Sequence, residues 1–207
     1  MPIAKGSPYG EPGPLPPKAV IVRSDAEARA AIEAARRERR PLPPLGLLGG
    51  DLCRTLGGGR DDDRGGEGRL RSLGGVCFPV DLGEVLLDGR LHLFVAHLVA
   101  RSPLWTRAFV AMNAQWRGPW NLGPRAHPGD GLLDTYDARL RPSQLLAVRS
   151  RLHHGAHLPH PGIEERRSPA VSVDLERALP VELDGVAVGS ARRLALRVEA
   201  DAVRVVV

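Results

Sequence analysis

Apolar positions along the chain fall into short runs bounded by turn formers, and two different periods divide it. Ala19-Val20-Ile21-Val22 is a β-branched run that leads straight into Ser24-Asp25-Ala26-Glu27. Serine with glutamate three residues on is the pattern in which two side chains satisfy the open amides of a first helical turn, so a helix is expected to begin here. Ala28, Ala31, Ile32 and Ala35 recur at helical spacing, Arg36, Arg37, Arg39 and Arg40 load the far end, and Pro41 stops it. Leu45-Gly46-Leu47-Leu48 reads as a second strand, and Leu52 to Leu56 as another helical turn.

Gly57 to Arg69 contains no apolar residue, and beyond it the period becomes strand-like. Strands are expected at Val76-Cys77-Phe78, at Glu84 to Leu87 and Leu91 to Val95 around Asp88-Gly89, and at Leu132 to Ala138. Further ones fall at Val171 to Leu175, Val181 to Val188 around Asp184-Gly185, Leu194 to Val198 and Val203 to Val207. Only Ser143 to Arg151 and Pro103 to Phe109 read as helical in this half. The fold class is therefore α/β plus β, with a short α/β segment followed by a β-sandwich domain. The boundaries follow from composition: a proline-rich disordered tail over 1–17, the α/β segment over 18–57, a flexible linker over 58–73 and the sandwich over 74–207.

Composition narrows the class of protein. Hydrophobic residues at 43% and charged residues at 26% of 207 exclude a wholly disordered, collagen-like or coiled-coil chain. The longest apolar stretch, Leu91 to Ala100, is broken by His92 and His97, which excludes a spanning helix, and no apolar segment suited to secretion precedes Pro12. The expected location is cytoplasmic, peripheral to a membrane if the partner is a lipid. Cys53 and Cys77 form neither a disulfide framework nor a zinc ribbon and are expected reduced and buried. A net charge of +5 favours anionic partners such as a lipid or membrane surface. With eight aromatics and no arginine cluster alternating with them, no nucleic acid is expected, and the arginines read as a solvated surface. His153, His154, His157 and His160 have spacings that suit zinc on a helix, but Gly155 and Pro159 break that helix. No Gly-x-Ser-x-Gly elbow marks a hydrolase.

The most distinctive string is Gly129-Asp130-Gly131-Leu132-Leu133-Asp134, which alone reads as a polar turn with Asp130 capping its own backbone. Its place in a series of motifs adds more. A strand and turn-to-helix come first, then Leu47 to Leu56 with Gly49-Gly50-Asp51, then Val80-Asp81-Leu82-Gly83-Glu84, the 129–134 string, Gly155-Ala156-His157, and Val181-Glu182-Leu183-Asp184-Gly185. In that order they resemble the bacterial diacylglycerol kinase family of lipid kinases over roughly residues 18–207.

The resemblance implies ATP as phosphoryl donor, held by glycine turns that map to Arg23-Ser24-Asp25-Ala26-Glu27 and to Gly49, Gly50 and Asp51. It implies magnesium (Mg2+) at Asp130 with the carbonyls of His127 and Leu132, and a general base at the third position of Asp184-Gly185-Val186. The departures from the pattern predict a loss of chemistry. The first turn keeps only Asp25 of its glycine-rich form, and Ser24 and Glu27 compete for the amides a phosphate would use. The second turn lacks its threonine and asparagine, and Val186 cannot accept a proton. Neither Asp184 nor Glu182 is expected to rescue that role. The expectation is a diacylglycerol-kinase-like protein impaired or inactive in phosphoryl transfer. The alternatives are an active ATP-dependent lipid kinase and a binding module for an acidic or lipid partner. The strands that would precede Ala19 in the family are missing, so the segment reads as truncated; its open edge is expected to pair in a homo-oligomer or with a second chain.

Overall fold

The computed structural model describes residues 9–59 and 66–207. In chain order the elements are β1 (Glu11–Pro12), β2 (Val20–Val22), α1 (Asp25–Arg37), β3 (Leu45–Leu47), α2 (Asp51–Thr55) and α3 (Gly66–Leu70). They continue with β4 (Val76–Leu87), β5 (Arg90–Phe94), β6 (His97–Arg101), β7 (Arg107–Met112), β8 (Leu133–Arg139), α4 (Pro142–Leu152), β9 (Ile163–Ser168), β10 (Ala170–Leu183) and β11 (Val186–Val206). Strands pair in the order β1-β4-β11-β10-β6-β7-β8-β9, with β5 on β4 and the parallel pair β2-β3 joined to β11.

β11 is the spine of this arrangement. Its first half pairs antiparallel with β10, its middle and end pair with β4, and its last residues pair parallel with β3, Val205 opposite Leu45 and Val206 opposite Gly46. The α/β segment and the sandwich therefore share one sheet and one core. Val22, Ala28, Ile32, Leu45, Leu47 and Leu52 pack in the same cluster as Phe78, Val80, Leu82, Val203 and Val205. Polar ties cross the same boundary: Arg36 Nη1 donates to Glu84 Oε1 at 3.1 Å, and Arg29 Nη1 donates to the Leu183 carbonyl at 2.9 Å. Among the described residues β2 pairs with β3 alone and forms one edge.

The linker expected over 58–73 falls partly on residues 60–65, outside the described residues; its later part is structured. Leu70 at the end of α3 is fully buried against Leu15 and Val206, which offsets the entropy of ordering this polar stretch. The tail expected over 1–17 is likewise packed from residue 9 on. β1 pairs with β4, Leu15 is buried, and the Tyr9 hydroxyl donates to the Pro79 carbonyl at 2.7 Å; residues 1–8 lie outside the described residues. Pro103 to Phe109 is not a helix but a turn, with Trp105 at φ 60°, running into β7. β7 is buried on both faces, Phe109 and Ala111 facing one cluster and Val110 and Met112 another, so its continuous apolar run carries no strand alternation.

The runs at 76–78 and 84–87 are one strand, because Asp81 between them keeps its carboxylate satisfied: it accepts the Gly131 amide at 2.7 Å and the Asp201 amide at 2.9 Å. Gly83 in the same strand lies under the Phe94 ring, where a Cβ would come within 2.3 Å. Asp88-Gly89 and Asp184-Gly185 both turn with positive φ at each residue, the geometry of two-residue hairpins. Cys53 is buried and free, whereas Cys77 is only half-buried.

A shared core has a testable consequence. Ile32→Ala, which truncates a fully buried side chain on α1, should destabilise the chain by about 2–5 kcal/mol. Urea unfolding followed by tryptophan fluorescence, which reports only residues 105, 116 and 120 in the sandwich, should shift by the same amount as unfolding followed by circular dichroism. An unmoved tryptophan transition would show that the two segments unfold independently.

Candidate functional site

The site forms where α1 and α2 begin. The two entry turns press together so closely that side chains are excluded. A Cβ on Gly49 would lie 2.6 Å from the Arg23 carbonyl oxygen, and one on Gly50, at φ 98°, would lie 2.6 Å from Asp25 Oδ1. Gly50 gives α2 no side-chain cap, and the five-residue helix is capped from outside. Asp25 Oδ2 accepts the Asp51 amide at 2.6 Å and Oδ1 accepts the Leu52 amide at 3.1 Å.

Asp51 is held from its other side. Oδ1 accepts the Gly118 amide at 2.9 Å and Oδ2 lies 3.0 Å from His97 Nε2. Burial works against the Asp51 charge, but the His97 ring, the Gly118 amide and Arg117 together hold its carboxyl below the ordinary value. The carboxylate is an acceptor only, so the His97 proton sits on Nε2. Asp184 lies behind the pair, wholly buried, with its carboxylate accepting the amides of Val95, Ala96 and His97 at 2.9 to 3.2 Å. Arg29 Nε stands 4.0 Å from it. Burial pushes Asp184 up, against the opposing effect of His97 and the three amides. Burial and then the charge of Asp184 push Asp25 to about 6, against the two amides it accepts.

Asp25, Gly49, Gly50, Asp51 and Asp184 are thus brought into one site, with His97 as the residue that joins them. Sequence reasoning met His97 only as an interruption of an apolar run, which was its single visible signal. Val186 opens β11 as an exposed apolar side chain after Gly185. Glu182 is clamped between Arg101 Nη2 at 3.1 Å and Arg117 Nη2 at 2.6 Å. Donor atoms of Asp25, Asp51 and His97 lie within 4.8 Å of one another, the one such grouping among the described residues, and each residue is already engaged as described. The four histidines at 153–160 form no such group. Beside the glycine turns opens a cavity of about 480 Å³, lined by Gly49, Gly50, Arg54, Gly58 and Trp116 among others, in which the Arg54 guanidinium lies 3.5 Å over the Trp116 ring.

The second predicted site lies in the loop before β8. Asp130 Oδ1 accepts the Leu132 amide at 2.9 Å, closing its own turn, and Oδ2 is ion-paired with Arg167. Arg167 Nε also stands 3.6 Å from Oδ2 of Asp134, a buried oxygen with no hydrogen-bond donor. Burial pushes Asp134 to about 6, opposed by Arg167. His127 Nδ1 accepts the Gly129 amide at 3.2 Å, and its ring packs on Tyr9 at 4.6 Å. The resemblance implies magnesium here, but the residues present do not fit it. The Arg167 guanidinium sits on Asp130 Oδ2 and faces Asp134, so a cation of the chain's own already neutralises the two acids.

A short α/β segment hydrogen-bonded to a long-stranded sandwich, with paired turns at their junction, defines a protein of the NAD-kinase-like β-sandwich class. The profile of the YegS C-terminal NAD kinase beta sandwich-like domain matches residues 84–207, and the chain belongs to that family. Two solved structures, each described as a candidate diacylglycerol kinase from Bacillus anthracis str. Sterne, superpose with TM-scores of 0.66 and 0.64 at 15% and 14% identity, each covering 91% of this chain and 77% of the other. A structure described as a diacylglycerol kinase from the same organism gives 0.61 at 13% identity, over 91% of this chain and 75% of that one. At these identities the likeness is one of fold. No curated protein matches the sequence.

The Arg167 arrangement predicts that magnesium or a chelator leaves the melting temperature unchanged. Arg167→Gln should lower it, and magnesium should then restore part of the loss, because Asp130 and Asp134 are left without a cation. A magnesium-dependent melting temperature in the unmodified protein would contradict this.

Proposed function

We propose that this protein is a diacylglycerol-kinase-like member of its family in which phosphoryl transfer is impaired or lost. The observation that carries the reading is the turn before α1, where the family pattern is not kept: Glu27 Oε2 accepts the Arg23 amide at 2.7 Å and Ser24 Oγ accepts the Glu27 amide at 3.2 Å. Backbone amides at a helix start are what a nucleotide phosphate uses. Here the chain's own side chains already take them, and Glu27 adds a negative charge where the phosphate would come.

The start of α2 is occupied as well: Asp25, the residue the first turn keeps from the family pattern, accepts the amides of Asp51 and Leu52 at 2.6 and 3.1 Å. Transfer to a lipid hydroxyl also needs a proton acceptor. Val186 offers none, Asp184 is committed to three amides and Glu182 to two arginines.

Thermal melting with ATP and magnesium tests the reading, since a ligand that occupies the native state raises its stability. No shift is expected, and no phosphorylation of diacylglycerol in mixed micelles, with or without Val186→Glu. A saturable shift abolished by Asp51→Ala, or turnover by the unmodified chain, would establish the active lipid kinase instead.

A further inference from the structure

Segments of the two longest acid-free stretches of the chain meet around Trp105 and Trp120. No aspartate or glutamate lies between Asp88 and Asp130 or between Asp137 and Glu164, and these stretches carry all three tryptophans and nine arginines. Trp105 and Trp120 meet edge to face at 5.8 Å. Arg101 lies 4.9 Å over Trp105, Arg117 lies 5.5 and 5.8 Å from the two rings, and Arg149 reaches from α4 to within 5.8 Å of Trp120. Arginine and aromatic rings that do not alternate along the sequence therefore alternate in space. The assembly is tied to the helix by the Asn121 amide, which donates to the Leu152 carbonyl at 2.9 Å, and by packing of Trp105 and Leu145 in one cluster.

Two leucines project from this face. Leu104, beside Trp105, is 74% exposed, and Leu146, beside Leu145, is 79% exposed. α4 contains no acid, and Arg141, Arg149 and Arg151 around it are exposed. Glu182 takes up Arg101 and Arg117 beside the rings, so the cations offered to a partner are those of the acid-free α4; with exposed aliphatic tips and tryptophans they suit the boundary of an anionic bilayer. A nucleic acid would use the same cations but needs open ring faces for stacking, and here guanidinium groups lie over them. It would also gain nothing from Leu104 and Leu146.

We propose that the face built from the Ser102–Thr106 turn, Trp120 and α4 docks on the surface of an anionic lipid bilayer, with Leu104 and Leu146 inserted and Arg141, Arg149 and Arg151 against the headgroups. The proposal goes beyond the reading above and does not depend on it, because a chain that turns over lipid and one that does not would dock alike.

Flotation with vesicles of phosphatidylglycerol and phosphatidylcholine, against phosphatidylcholine alone, tests it. The protein should float with the anionic vesicles only and be released by high salt. Arg149→Gln and Arg151→Gln should each weaken binding about fivefold. Leu104→Ser with Leu146→Ser should weaken it about tenfold or more. All four side chains are exposed, so an unchanged melting temperature separates lost docking from lost folding. Absence of flotation at low salt, or flotation indifferent to either set of substitutions, would overturn the proposal. So would binding of a single-stranded oligonucleotide through the same residues with the vesicles ignored, which would assign the face to nucleic acid.

Discussion

Buried aspartates that accept backbone amides hold this molecule together. Asp25 takes two amides at the start of α2, Asp184 takes three at the turn between β5 and β6, and Asp81 takes one beside Asp130 and one at Asp201. Each set belongs to a chain reversal where no strand or helix partner is available, and an unmet buried amide costs about as much as a lost hydrogen bond. The side chain doing the capping comes each time from a distant part of the chain. Asp184, on the turn between β10 and β11, fixes the turn from which His97 reaches Asp51, and Asp25 on α1 fixes α2. Position in the site follows from these bonds.

The same bonds carry an electrostatic cost that shapes function. Burial and then the charge of Asp184 push Asp25 up against the amides it accepts, and burial pushes Asp184 up against His97 and its three amides. A phosphate would add further negative charge to a region already crowded with it. The loop before β8 shows the same substitution of internal charge for a bound ion, with Arg167 between Asp130 and Asp134. The family's architecture is kept, and at both corners that the resemblance assigns to a phosphate or an ion the chain places charged groups of its own.

Much of this fold was legible because local chemistry and tertiary structure agree. The Ser24–Glu27 cap marks α1, and both Asp-Gly hairpins turn as their residues require. What stayed hidden depends on long-range partners. β6 and β7 are buried on both faces and show no alternation, α3 is a polar stretch anchored by the single side chain of Leu70, and β9 is an edge strand of mostly charged residues. Within the site, Asp25, Asp51 and Asp184 were visible as motif residues, but nothing local says that Asp25 would cap α2, that His97 would join Asp51, or that Arg167 would sit on Asp130. Those pairings span 26, 46 and 37 residues.

The central claim is that Ser24 and Glu27 in the turn before α1, with Asp25 at the start of α2, keep the amides there closed to an anion. Amide resonances of Arg23, Glu27, Asp51 and Leu52, followed by NMR while ATP and magnesium are added, test it most directly. Those of Asp51 and Leu52 should follow the Asp25 carboxyl when pH is varied around 6, and all four should remain still as nucleotide is added. Saturable movement of these resonances with nucleotide would show that a phosphate displaces the chain's own side chains, and would contradict the account.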